Sequence, residues 1–116
     1  MIRHTVSFRL HHPPDSPEEA DFLAAAQLLA TIPGVLRFEC LRQVNPRNGF
    51  AFGLSMEFED AAAYAGYNDH PRHIDFVQTR WVHEVAEFLE IDYVPYESPE
   101  PRIEGGQGSG ATGTRS

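Results

Sequence analysis

The stretch Tyr67-Asn68-Asp69-His70-Pro71-Arg72-His73 concentrates side chains that can exchange a proton or carry charge. Its chemistry would be acid–base. A histidine ring takes and returns a proton near neutrality, and a tyrosine hydroxyl donates a hydrogen bond to an oxygen gaining negative charge. Pro71 fits the first turn of a helix, where its missing N–H costs nothing. His73 then begins a face that continues at Val77, Trp81 and Val85, in steps that keep side chains on one side of a helix. A titratable ring at the mouth of an apolar face either satisfies the core or works in a pocket.

The elements that would position these groups follow from periodicity. Ile2, His4, Val6, Phe8 and Leu10 alternate with Arg3, Thr5, Ser7 and Arg9, which predicts a half-buried strand with His4 in the apolar register. Residues 11–14 break it. Asp15 or Ser16 can cap a helix with Pro17 in its first turn, and Phe22, Ala25, Ala26, Leu29 and Ile32 recur at helical spacing up to Pro33-Gly34. Val35 to Val44 reads as a second strand, and Phe50, Phe52, Leu54, Met56 and Phe58 mark a third. The turn cluster at 45–49 joins the two as a hairpin. Asp60 can cap a short helix over 61–67. The helix opened by Pro71 is expected to reach about Phe88, and residues 89–94 to form a last strand. The order is β-α-β-β-α-β, so the expected class is α+β: a ferredoxin-like antiparallel sheet with helices on one face.

The chain has 116 residues, enough for one domain, expected over residues 1–96. Residues 97–116, rich in Gly, Ser and Thr, are expected to be a disordered tail. So small a core, with apolar residues on the second sheet face as well, predicts a homodimer in which two sheets pack into a closed barrel. The net charge of −8 argues against nucleic acid. The lone Cys40 excludes an internal disulfide and a cysteine-rich zinc site, and is expected to be packing. No charged-then-apolar leader opens the sequence and no long apolar run spans a membrane, so a soluble cytoplasmic protein without membrane contact is expected.

Several segments together resemble the stress-responsive A/B barrel (Dabb) family: residues 1–10, Ile32-Pro33-Gly34-Val35, Asn45-Pro46-Arg47-Asn48, the Tyr67–His73 stretch and Ile91-Asp92-Tyr93. The resemblance covers about residues 1–95. It implies a dimeric α+β barrel with a cavity between sheet and helices in each protomer. A plant polyketide cyclase in this family closes a ring by aldol condensation. Its catalytic tyrosine and histidine fall on Tyr67 and His73, and its first-strand pocket histidine on His4. Where that enzyme has a third-strand histidine and a helix tyrosine, this chain has Phe52 and Ala25.

Aldol closure needs a base to remove a proton beside a carbonyl and a donor for the enolate oxygen. The expected roles are His73 as base, Tyr67 as donor and His4 as a second polar anchor, with Phe22, Phe52 and Trp81 shaping an apolar substrate site. The ligand would be a small apolar carbonyl or aromatic compound, with no cofactor. The alternative is that His4 and His73 merely satisfy the core, in a stress-associated binding or structural dimer. A cofactor-free monooxygenase is a third reading, by fold analogy. His70 and His73, with Asp69 and Asp75 beside them, invite a metal. Pro71, however, leaves His70 outside the helix and no third ligand follows, so no metal is expected. His11 and His12 read as a solvated loop.

Overall fold

The structure is a computed structural model that describes residues 1–97. Beyond residue 97 itself, the expected tail lies outside the described residues.

Strand β1 (Ile2–Leu10) lies at the centre of a four-stranded sheet, and the alternation read in the sequence is the alternation of its burial. His4, Val6, Phe8 and Leu10 are buried on the helix-covered face. Ser16 caps helix α1 (Pro17–Gln27), its hydroxyl accepting from the Glu19 N–H at 3.1 Å, and Pro17 occupies the first turn. The helix tightens into a 3₁₀ turn over Leu28–Thr31. Gly34 then turns the chain with φ +93°, a conformation a side chain would strain. Strands β2 (Leu36–Arg42) and β3 (Phe52–Phe58) form the hairpin, with an irregular start where Arg37 takes φ 49°. All three strand pairings are antiparallel and the sheet order is β2-β3-β1-β4, the ferredoxin-like plan.

Asp60 caps helix α2 (Ala61–Asp69) by accepting from the Ala63 N–H at 2.9 Å. Helix α3 (Pro71–Phe76) starts afresh after His70, whose ring accepts from the Arg72 N–H at 3.1 Å. His70 is therefore a cap. From there the structure departs from the expected long helix. A π turn over Val77–Trp81 widens the coil, the Val82 N–H reaching back to the carbonyl of Val77. One more helical turn, Val82–Glu84, ends it, and strand β4 (Val85–Tyr93) begins several residues earlier than expected. The cause lies in pairing with β1. Leu10 aligns with Val85 and the His11 N–H donates to the Glu84 carbonyl at 2.9 Å, so the β1 ladder captures a segment whose apolar spacing also suits a helix. Val85 and Phe88 thus serve the site from a strand.

The core lies between the sheet and the helices. Phe8, Phe22 and Phe58 are fully buried, and Phe22 sits 6.0 Å from Phe8, 5.5 Å from Phe76 and 6.1 Å from Trp81, ring centre to ring centre. On the opposite face of the sheet, among the described residues, no helix covers Leu41, Leu89, Ile91 and Tyr93, which are exposed by 41–52%.

Candidate active site

The end of one helix and the start of the next set the position of His73. The N-cap His70 and Pro71 fix where α3 begins, and the last residues of α2 lie just before the break. His73 Nδ1 donates to the backbone carbonyl of Asn68 at 3.1 Å, which assigns the proton to Nδ1 and leaves the Nε2 lone pair free. Burial lowers the pKa of His73 from 6.5, opposed by that hydrogen bond. A second positive charge at His4 would lower it further, and the negative charge of Glu90 raises it. The ring therefore stays neutral somewhat below the usual imidazole range, in the state a base requires.

Tyr67 packs against it, ring centres 4.4 Å apart, and is only 2% exposed. Burial, then the negative charge of Glu90, pushes its hydroxyl well above the usual phenol range. It therefore remains a hydrogen-bond donor at any ordinary pH.

The sheet supplies the other wall. His4 stands opposite Met56 on one neighbouring strand and Asp92 on the other. Its Nδ1 donates to Asp92 Oδ1 at 2.7 Å, and the Tyr64 hydroxyl donates to Asp92 Oδ2 at 2.9 Å while lying 2.8 Å from the same ring nitrogen. Tyr64 is itself stacked on Phe58, centres 4.9 Å apart. Burial first, then the hydrogen bond and charge of Asp92, drive the Tyr64 hydroxyl far above its ordinary range. The proton on Nδ1 leaves His4 Nε2 as an acceptor, 3.9 Å from Glu90 Oε2.

Between these walls lies a cavity of about 520 Å³, within the range of small-molecule sites, roughly 300–1,000 Å³. His4, Tyr67, His73 and Glu90 are its polar lining, and Val77, Trp81, Val85 and Phe88 are among its apolar residues. Of the residues singled out from sequence, the structure brings His4, Tyr67, His73 and Trp81 to one cavity. Phe22 and Phe52 are not part of its lining. Both are buried behind it, Phe22 against Trp81 and Phe52 beside Phe8, so they shape it only by packing.

Sequence reasoning missed Tyr64, Glu90 and Asp92. A signal existed for the last two, because Glu90 and Asp92 share the register of Phe88, whereas Leu89, Ile91 and Tyr93 share the other. The apolar set faces away from the helices, so a rule that turns apolar residues inward picks the wrong face. His12 is also not simply solvated: its Nε2 lies 2.7 Å from Glu84, which is bound in turn by Arg80. Cys40 is half-buried, and burial raises its thiol pKa, so it is a poor nucleophile. Among the described residues, no group of three or more His, Cys, Asp or Glu side chains is arranged to hold a metal.

A split β-α-β sheet with a His- and Tyr-lined cavity under its helices defines a class, the ferredoxin-like α+β domains with an internal ligand-sized site. Within that class, the chain belongs to the stress responsive A/B barrel domain (Dabb) family, whose profile matches residues 2–95. It is similar to a Dabb family protein with a ferredoxin-like fold from Mesorhizobium loti, at 57% identity and TM-score 0.81, covering 83% of this chain and 97% of that one. A dimeric protein of unknown function from Bacteroides fragilis shares the fold at 22% identity and TM-score 0.59, over 79% of this chain and 93% of that one. So does a hydroxynitrile lyase from Passiflora edulis, at 17% identity and TM-score 0.68, over 84% and 94%. No curated protein matches the chain.

Proposed function

We propose that the protein is a homodimeric, cofactor-independent acid–base enzyme acting on a small apolar carbonyl compound, with aldol-type closure of a polyketide-like chain as its reaction. The observation that carries this reading is the neutral His73, its proton held on Nδ1 by the Asn68 carbonyl and its ring set against the buried Tyr67. His73 Nε2 takes a proton from the carbon beside a carbonyl, and the C–H electron pair becomes an enolate. The Tyr67 hydroxyl donates to the enolate oxygen. The enolate carbon then attacks a second carbonyl of the same molecule, and the new alkoxide recovers the proton from His73. Atoms and charge balance with no oxidant or reductant. The His4–Asp92–Tyr64 network holds the opposite wall in one arrangement, with the ring tautomer fixed.

The Passiflora enzyme is a lyase on the same fold, which supports carbon–carbon bond chemistry only as an analogy of architecture. Dimerisation is supported by the exposed apolar strip on the uncovered sheet face and by the dimeric Bacteroides protein. A second reading, a binding dimer without catalysis, draws on the same network, since His4 is already satisfied on one side by Asp92. Poly-β-ketone and aromatic carbonyl compounds incubated with wild type and His73→Ala, with products followed by mass spectrometry, separate the two. Product formed by wild type and lost in a folded His73→Ala supports the enzyme. Binding without product in either protein favours the carrier.

A further inference from the structure

Glu90 has no place in the reaction described above, yet it faces the site. Its register opposite Val6 turns it to the helix-covered side of the sheet, and it lines the cavity. Next to it the His4 side chain is 7% exposed, with Nδ1 committed to Asp92. The remaining His4 nitrogen and the Glu90 oxygen are two acceptors 3.9 Å apart. That is too long for a hydrogen bond between them, since such bonds run to about 3.2 Å, and it suits one donor group bonded to both.

The rest of the wall has the same sign. Glu90 is the only charged carboxylate or guanidinium group in the described lining, and neither Lys nor Arg is part of it. Arg80, the basic residue beside Trp81 in sequence, spends its guanidinium on Glu84 and Asp21. Trp81 and Phe88, their rings edge to face with centres 5.6 Å apart, line the same cavity, and aromatic rings of this kind attract cations. A carboxylate ligand would find no counter-charge here and would meet Glu90.

We propose that the His4–Glu90 acceptor pair makes the cavity selective for ligands whose polar end is an ammonium group on an apolar or aromatic body. The inference rests on the reading of the cavity as the substrate site, and it narrows the substrate to carbonyl compounds that carry an amine. Binding is measured at about pH 8, where a simple amine still carries its charge.

Trp81 lines the cavity and is the one tryptophan of the chain, so its fluorescence reports occupancy at this place. Phenethylamine, phenethyl alcohol and phenylacetate, matched in body and differing in the polar end, would be titrated into the full chain and into Glu90→Gln. The Glu90 side chain is 59% exposed, so this near-isosteric change leaves the core alone. The amine should bind about tenfold more tightly than the alcohol, with the acid weakest. In Glu90→Gln the amine should fall to the affinity of the alcohol, which itself stays unchanged. Equal binding of amine and alcohol to wild type, or an amine advantage that survives in Glu90→Gln, overturns the ammonium proposal and leaves the cavity as a ligand site. No response of Trp81 to any of the three overturns both.

Discussion

At the scale of single residues, the chemistry open to the site depends on which nitrogen of each histidine is already bonded. His73 gives its Nδ1 proton to the Asn68 carbonyl, and His4 gives its own to Asp92. Each ring therefore keeps one basic nitrogen. Because burial lowers the pKa of His73 from 6.5, its base form persists into mildly acidic solution. The acid limb of a pH–rate profile for turnover should fall with a midpoint below that value, and a midpoint well above it would exclude His73 as the base. The stability sign agrees. The unfolded chain binds this proton more readily, so the contribution of His73 is complete above about pH 6.5 and drains as pH falls through the lower folded-state pKa. Asp92 does not line the cavity and acts through the His4 ring and the Tyr64 hydroxyl that it holds. Asp92→Asn should keep the fold and weaken ligand binding more than it slows bound-state turnover, a split between KM and kcat. Phe22→Ala, by contrast, should cost about 3–5 kcal/mol of stability in urea unfolding, because Phe22 is fully buried core behind the cavity.

At the scale of elements, what could be read from sequence and what could not divide along locality. His4 in the apolar register of β1, the Ser16 and Asp60 caps, and the break at His70-Pro71 are local signals, and each appears in the structure as expected. The early start of β4 was hidden because it depends on pairing with β1, a strand some eighty residues away. Tyr64, Glu90 and Asp92 were hidden for the same reason. Their partners are set by sheet register and helix placement. Although alternation puts Glu90 and Asp92 on one face of the edge strand, the apolar residues on its other face make the carboxylate face look like the solvent side. The caps are open to a direct check. Asp60→Ala removes the acceptor for the Ala63 N–H and should destabilise the protein by about 1 kcal/mol in thermal or denaturant unfolding. Since α2 carries both Tyr64 and Tyr67, the same variant should loosen the site as well.

At the scale of the whole molecule, the sheet has one face under helices and one bearing Leu41, Leu89, Ile91 and Tyr93. A domain this small leaves much of its surface unburied, and a second sheet laid on that strip would remove it from water. Leu89→Lys combined with Ile91→Lys should convert a dimer into a monomer in analytical ultracentrifugation, whereas an unchanged mass would place any interface elsewhere. The two sites are on opposite faces of the sheet, so the double variant should keep its cavity residues in place. The claim on which all of this depends is proton removal by His73. It is tested most directly by following hydrogen–deuterium exchange, by NMR, at the carbon beside the carbonyl of a bound aromatic ketone in deuterated buffer. Exchange accelerated by wild type and abolished in a folded His73→Ala is the result expected. Exchange at the same rate with both proteins would contradict the account.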